Sequence, residues 1–237
     1  MSEPSALPFD YNDAVFRHGT ERHALDYSIL RNEYNDVHPL VADRFAAAQT
    51  SRILDMGCGP GKLGRLLDER GVASVGLDAS ITRLSLGHGP RVLGDAKQLP
   101  FRDETFDGVA ALYMLYHFDD PLVPVREAFR ILRPGGLFAA CAPGHFDEPE
   151  LAPFMPPLSP GTFDSDMAPG LLGQLFEIAW IDSYDMPLYR LPDEQALWNY
   201  LVSRATDPEV ASSVAKKAEY PLWLTKRGAT VWGRKAG

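Results

Sequence analysis

The chain of 237 residues carries a formal charge of −9, because 32 acidic residues outnumber 23 Lys plus Arg. This acidic balance argues against a general nucleic-acid binder, since such proteins need a basic face to displace counterions from phosphates. With 45% apolar residues the chain is able to bury a full core, which excludes disorder as its main state. Cys58 and Cys141 are the only cysteines, too few for a disulfide framework or a four-sulfur zinc site.

Membrane and secretory signals are missing from the sequence. No apolar run approaches the roughly 18 residues that a membrane span requires. The opening MSEPSALPFD has neither the basic start nor the hydrophobic stretch of a secretory signal. We therefore expect a cytoplasmic protein without a membrane partner.

The first 50 residues are predicted to form a helical cap, since aromatic and charged residues are mixed there in two helical segments. One helix is expected from about Thr20 to Asn32. The other is expected to begin near Pro39, because proline suits a first helical position. Its buried residues are predicted to be Leu40, Val41 and Phe45.

From Arg52 to Ala142, short apolar runs alternate with amphipathic helices. This alternation is typical of βαβ units stacked around a parallel sheet. The five runs predicted as buried strands are RILDM, SVGLD, RVLGD, DGVAALYM and GLFAACA. One helix is predicted over Lys62 to Arg70, and another from Pro121, capped by Asp120, to a stop at Pro134-Gly135-Gly136.

The rest of the chain, after Ala142, differs in composition from the alternating region. A proline-rich segment at residues 143–169 is predicted to be a lid, because so long a loop in a compact domain is commonly functional or disordered. A short helix is predicted from about Pro169 to Phe176, a strand near Ile181 to Pro187, and a helical insertion within residues 192–220. The terminal RGATVWGRK is predicted to be a final strand.

The stretch RILDMGCGPGKLG, residues 52–64, runs from an apolar strand through glycines into a helix. Glycines allow a sharp turn and a close approach to a ligand, and the following helix offers unpaired amide N–H groups. Asp78 follows Gly57 by 21 residues, where a carboxylate is able to accept hydrogen bonds from two ribose hydroxyls. The pattern therefore predicts a nucleotide-type ligand.

Two cofactors fit this pattern. Gly59, Gly61 and Gly64 satisfy GxGxxG, and Asp78 follows Gly59 by 19 residues. A dinucleotide site of an NAD(P)-dependent oxidoreductase is therefore a real alternative. The competing ligand is S-adenosylmethionine, which the motifs along the rest of the sheet favour.

Five motifs resemble those of class I S-adenosylmethionine-dependent methyltransferases. DMGCGPG looks like the first motif, with Asp55 two residues before its first glycine. GLDAS, GDAKQLPF, FDGVAALYMLYHF and ILRPGGLF are similar to the later motifs, in that family's order and spacing. The resemblance covers Arg52 to Ala142 and is nearest to the small-molecule branch that includes ubiquinone and menaquinone methyltransferases.

The resemblance implies an α/β fold with a Rossmann-like, doubly wound, mostly parallel seven-stranded sheet, helices on both faces and a helical and loop cap. The corresponding domain is expected at residues 51–237, after the N-terminal cap at residues 1–50. A small-molecule acceptor is expected, with no nucleic acid as partner. The oligomeric state is left open.

The same resemblance implies a cofactor site. The methionine part would face Asp55, Gly57, Cys58, Gly59 and the backbone of Leu112. The nucleoside would be held by two carboxylates, Asp78 at the ribose and Asp95 at the adenine amino group, beside Ala79 and Ala96. The N-terminal cap is expected to close over the cofactor and to contribute Tyr11 and Tyr27.

The reaction needs alignment, exclusion of water and, for a protonated acceptor, a base. His117 is the first candidate base because it follows the fourth predicted strand, and His145 is the second. Tyr113 and Tyr116 are expected to pack or to line the pocket. Phe154, Met155, Trp198 and Tyr200 lie in the variable regions that should cover an apolar acceptor, where Trp198 is expected to be core.

Two absences narrow the reaction. A [DN]PP[YFW] signature is missing after the fourth strand, which argues against adenine or glutamine N-methylation. Residues 110–118 contain no carboxylate to bind magnesium, so we predict metal-independent, in-line methyl transfer. A third alternative is a protein that binds S-adenosylmethionine without catalysis.

Overall fold

A computed structural model describes residues 37–237 except residues 88, 146, 156–160, 204 and 205. The predicted helix from Thr20 to Asn32, and with it most of the predicted N-terminal cap, lies outside the described residues. Tyr11 and Tyr27 lie outside them as well, so their expected contact with the cofactor stays a prediction.

The described residues form one sheet of seven strands in the order β3-β2-β1-β4-β5-β7-β6. The strands are β1 Arg52–Met56, β2 Ala73–Asp78, β3 Arg91–Leu93, β4 Phe106–Leu112, β5 Leu132–Pro143, β6 Glu177–Leu191 and β7 Leu222–Arg234. Strands β1 to β5 are parallel, whereas β7 is antiparallel to both of its neighbours. The expected mostly parallel α/β sheet is confirmed.

Helices lie on both faces of this sheet. They are α1 Val37–Ala47, α2 Lys62–Asp68, α3 Ile81–Ser85, α4 Leu122–Ile131, α5 Ala168–Leu172, α6 Glu194–Ser203 and α7 Pro208–Ala215, with 3-10 turns at Leu115–His117 and Pro149–Leu151. Helices α1 and α2 pack on one face around Phe45 and Trp232, and α4 and α5 pack on the other around Phe138. In the described ranges no helix has the length and apolar character to cross a bilayer.

The chain order creates a switch point between β1 and β4. The chain runs outward from β1 through β2 to β3 and then returns to β4 on the other side of β1. Two neighbouring crossovers therefore diverge at the carboxyl ends of β1 and β4, which leaves a crevice there. Ligands of open α/β sheets bind in such crevices.

Two local predictions were wrong. Leu40 is 62% exposed, because the buried stripe of α1 follows Val37, Val41 and Phe45 at four-residue spacing. Helix α4 ends at Ile131, and the chain passes directly into β5 at Leu132. Pro134-Gly135-Gly136 therefore lies within β5, where the pairing with β4 shifts register. The predicted cap is confirmed, since the Leu122 N–H donates to Asp120 at 2.9 Å.

Strands β6 and β7 form a ribbon that is longer than either predicted strand. Gly228 pairs with Pro143 at the carboxyl end of β5, and residues 222–227 of β7 continue beyond it, paired with residues 185–191 of β6. The ribbon therefore extends past the carboxyl edge of the parallel strands. Helices α6 and α7 pack on this extension in a hydrophobic cluster of its own, around Tyr200, Leu191 and Leu224.

Candidate functional site

The glycine turn follows β1 and is tied to β2. The backbone N–H groups of Gly57 and Cys58 both donate to the carbonyl of Leu77, at 2.7 and 3.0 Å. Gly57, Gly59 and Gly61 have φ values of 75°, 51° and 79°, a left-handed conformation that glycine adopts at no steric cost. The turn is thus shaped by its glycines and held at the carboxyl edge of the sheet.

The two sides of this turn differ. A Cβ on Gly57 would lie 2.9 Å from the Cβ of Met114, so the turn packs tightly against the residues that follow β4. Cys58 packs against Gly76 of β2, and its buried thiol has a raised pKa. At Gly59, by contrast, no described atom lies within 4 Å of the position that a Cβ would occupy. Gly59 is therefore where a ligand is able to approach the backbone.

Asp78 ends β2 and holds the turn from the other side. Its Oδ2 accepts the Gly59 N–H at 2.7 Å, and its Oδ1 accepts the Ser80 N–H at 2.9 Å. A carboxylate has about four lone-pair positions, so both oxygens retain acceptor capacity for ribose hydroxyls. Asp78 thus fits the role predicted for it and also orders the turn.

Asp55 is a buried carboxylate in β1, between Gly76 of β2 and Ala110 of β4. It is 4% exposed, and the charged group that acts on it most strongly is another carboxylate, Asp78. Burial, and secondly the charge of Asp78, raise its pKa from 3.8 to about 7. A buried carboxylate of this kind is stabilised by a cation placed beside it.

These residues fit S-adenosylmethionine. The cofactor carries an ammonium and a sulfonium, which suit the buried Asp55 carboxylate, and a ribose, which suits Asp78. In the sequence, Gly59 comes after Asp55 and before Asp78. The structure therefore brings together Asp55, the glycine turn and Asp78, as the motif predicts.

The adenine end of the predicted site lies after β3. The Gly94 N–H donates to the carbonyl of Asp78 at 3.0 Å, which places Asp95 next to the ribose candidate. The Asp95 carboxylate accepts the Lys97 N–H at 2.9 Å, and Ala96 is buried in the core beneath it. Ile81, which sequence analysis missed, is 60% exposed three residues after Asp78. An apolar side chain there would pack against a flat base.

The methionine side of the predicted site lies at the end of β4. Leu112 is buried at the last position of β4, two residues after Ala110, which pairs with Asp55 of β1. Tyr113 follows with φ of 57°, a strained conformation for a bulky residue. Met114 then packs against the glycine turn. The backbone of Leu112 is thus near the turn, where the resemblance places the methionine amino group.

The two candidate bases follow neighbouring strands. His117 is exposed in the 3-10 turn after β4, with its ring 4.6 Å from that of Tyr116. His145 is exposed two residues after β5, and its backbone N–H donates to Asp166 at 3.3 Å. The Thr162 hydroxyl donates to the Phe118 carbonyl at 2.7 Å, so the end of the predicted lid lies against the His117 loop.

The four aromatic and methionine residues considered for the acceptor have a different environment. Tyr200 is buried, and Trp198, Phe154 and Met155 pack around it in the cluster of α6 and α7. Trp198 is therefore part of that core, as expected, and its indole N–H donates to the Pro208 carbonyl at 3.3 Å. In the described ranges no three His, Cys, Asp or Glu side chains gather as a metal site.

The middle of the chain is similar to a known family. Residues 54–140 match the family described as a methyltransferase domain, and this range contains the glycine turn, Asp78, Asp95 and β4. Over this range the chain is similar to the methyltransferase domain family.

Two curated relatives are similar to this chain over about half of its length. A demethylmenaquinone methyltransferase of Renibacterium salmoninarum is 32% identical over 120 residues, which cover 48% of this chain and 49% of that protein. An O-methyltransferase of Aspergillus sclerotiorum is 32% identical over 142 residues, which cover 51% of this chain and 54% of that protein. The chain thus spans about half the length of the curated relatives that it matches.

A solved structure shares this fold over most of the chain. A Bacillus halodurans C-125 protein provisionally named a methyltransferase superposes with a TM-score of 0.64 and 18% identity. The match covers 85% of this chain and all of that one. At this identity the likeness concerns the fold alone, so the reaction has to be argued from the site.

Proposed function

We propose that the protein is an enzyme that transfers a methyl group from S-adenosylmethionine to a small-molecule acceptor. One observation carries this proposal: a buried carboxylate, Asp55, lies in the strand that leads into an open glycine turn. A cationic nucleoside cofactor satisfies both features. The pyrophosphate of a nicotinamide dinucleotide does not, because its negative charge would lie near that of Asp55.

The roles of the chain's own residues follow from the geometry. When bound, S-adenosylmethionine supplies a methyl group on a positively charged sulfur, which a nucleophile attacks in line. Asp78 orders the turn and accepts from the ribose, and Asp55 offers negative charge to the methionine part. Asp95 and Ile81 flank the adenine. These residues position and bind, so no covalent intermediate on the protein is needed.

We assign the base, where the acceptor needs one, to His117. Its ring is exposed at the carboxyl edge of β4, the edge at which the cofactor binds, and an ordinary imidazole accepts a proton near neutral pH. His145 follows the neighbouring strand β5 and is the second candidate. The reaction is proposed to need no metal ion, because residues 110–118 contain no carboxylate to bind magnesium.

The acceptor is a small molecule in this proposal. The two relatives differ in what their names state, one methylating demethylmenaquinone and the other an oxygen atom. Their shared half is the cofactor domain, while the part of this chain outside it forms the ribbon and the cluster around Tyr200. The acceptor is therefore expected to be selected by this second part.

Calorimetric titration tests the cofactor assignment. We expect S-adenosylmethionine and S-adenosylhomocysteine to bind, and to raise the free energy of unfolding by about 2.7 kcal/mol at a concentration of 100 times Kd. NADH and NADPH serve as matched controls and should leave stability unchanged. Binding of NADH without binding of S-adenosylhomocysteine would contradict the proposal.

Turnover tests the enzyme assignment separately. We expect transfer of a labelled methyl group to members of a panel of phenols, quinols and small amines. Strong binding of S-adenosylmethionine with no transfer to any member would favour the non-catalytic alternative.

A further inference from the structure

Tyr113 adopts a conformation that its side chain disfavours. Its φ of 57° lies in the left-handed region, which bulky residues rarely occupy. The same residue separates Leu112, at the methionine side of the site, from Met114, which packs against Gly57. Strained residues persist only where surrounding contacts hold them.

Two hydrogen bonds hold Tyr113, one to the neighbouring strand β5 and one to β6. Its backbone N–H donates to the Cys141 carbonyl of β5 at 2.9 Å. Its hydroxyl lies 3.1 Å from the hydroxyl of Tyr184 in β6, 71 residues away in the chain. Both phenols are partly buried, and burial raises the pKa of each, so the pair is neutral and hydrogen-bonded.

Gly228 makes this pair possible. Tyr184 pairs with Gly228 in the ribbon, and a Cβ at Gly228 would overlap the Tyr184 hydroxyl and lie 2.5 Å from the Ala142 carbonyl oxygen. The Tyr184 side chain therefore crosses β7 over a residue without a side chain. It reaches the carboxyl ends of β4 and β5 only by this path.

We propose that Tyr184 is a positioning residue for the cofactor site, acting through its hydrogen bond to the strained Tyr113. The bond holds the turn Leu112–Met114 in the form in which Met114 supports Gly57 and the Leu112 backbone faces the methionine part. This inference rests on the proposed function, because it concerns the binding of the same cofactor. It adds a residue from outside the matched domain of residues 54–140.

A double-mutant cycle on S-adenosylhomocysteine affinity tests the inference. Tyr184→Phe and Tyr113→Phe each remove the hydrogen bond and keep the ring, so each should weaken binding by between about three- and tenfold. The double variant should bind as weakly as either single variant, since all three lack the same bond. Gly228→Ala displaces the Tyr184 hydroxyl and should weaken binding at least as much.

Tyr220→Phe is the matched control, because Tyr220 donates to the Ala215 carbonyl at 2.6 Å, away from the site. It should leave S-adenosylhomocysteine affinity unchanged. A purely structural role for the pair predicts lower melting temperatures with unchanged affinity, and that result would overturn the inference. Additive losses in the double variant would overturn it too. A wild-type protein that binds no S-adenosylhomocysteine would instead refute the proposed function.

Discussion

In the proposed site, Asp55 serves binding at the expense of stability. Its carboxylate is buried, and its pKa is about 7 rather than 3.8. Because the folded state disfavours the ionised form, the stability of the ligand-free protein falls as pH rises from about 4 to 7. A cationic ligand reverses this preference, since it stabilises the ionised form. Function and stability therefore conflict at this position.

Replacing Asp55 by Asn tests this conflict. Asn keeps the shape without the charge, so we expect Asp55→Asn to be more stable than wild type at pH 8, by up to about 4 kcal/mol. The difference should shrink at pH 5, where wild-type Asp55 is protonated. Denaturant unfolding of the ligand-free protein at both pH values measures it.

The same variant should lose the pH dependence of binding. In wild type, affinity for S-adenosylmethionine is expected to rise by up to tenfold per pH unit between pH 5.5 and 7, and then to level off. Asp55→Asn should bind more weakly at pH 7.5 and show a flat profile. A wild-type profile equally flat over this range would contradict the assigned role.

At the scale of elements, the ribbon of β6 and β7 is anchored by a buried ionic cluster. Lys226 of β7 contacts the carboxylates of Asp147 and Glu148, at 2.8 Å for Glu148, and its side chain is 12% exposed. The Tyr200 hydroxyl of α6 donates to Glu148 as well. The cluster thus joins the chain after β5, the ribbon and the helices packed on it.

Removing the cation from this cluster should be costly. Lys226→Met leaves two buried carboxylates without a counter-charge, so we expect a loss of about 3 to 5 kcal/mol at pH 8. Burial raises the pKa of Asp147, so the loss should be smaller at pH 5, where that carboxyl is closer to neutral. Urea unfolding at the two pH values gives both numbers.

Arg227→Met is the matched control. Arg227 is the next residue and pairs with Asp185 in an exposed position, at 3.1 Å. An exposed pair contributes about 0 to 1 kcal/mol. Equal losses of unfolding free energy in the two variants would show that the buried cluster contributes no more to stability than an exposed ion pair.

Strand prediction succeeded and failed for identifiable reasons. Strands β1, β2 and β4 were predicted close to their bounds, because strands buried on both faces are continuous apolar runs. Strand β5 begins four residues before its predicted start, and β3 is a mostly exposed edge strand, not a buried one. The ribbon was predicted too short at both strands, since its outer half is partly exposed and Pro187 looked like a strand end. Leu40 was predicted to be buried because it is apolar, but an apolar side chain does not by itself show which face of the helix carries it.

At the scale of the whole molecule, the hydrophobic core of the sheet and the cluster around Tyr200 pack on different parts of the structure. The sheet carries its core on both faces, whereas the cluster around Tyr200 packs only on the ribbon extension. Regions with fewer buried contacts to the main core open at a lower free energy. The acceptor-selecting part of the proposed enzyme is therefore expected to be its more mobile part.

Native-state hydrogen exchange measures this difference. We expect amides of α6 and α7 to exchange through openings of lower free energy than amides of β1 and β4. S-adenosylhomocysteine should protect β1 and β4 further, because it binds at their ends. Equal opening free energies for α7 and β4 would contradict the separation.

The sequence by itself determined the parallel sheet, the glycine turn and the two carboxylates that flank it. These features depend on contiguous runs and on spacings of about 20 residues, which local geometry makes regular. Only the tertiary structure decided that Tyr184 reaches Tyr113 and that Lys226 meets Glu148. The partners in these two contacts lie 71 and 78 residues apart in the chain. No local sequence pattern marks contacts between segments so far apart.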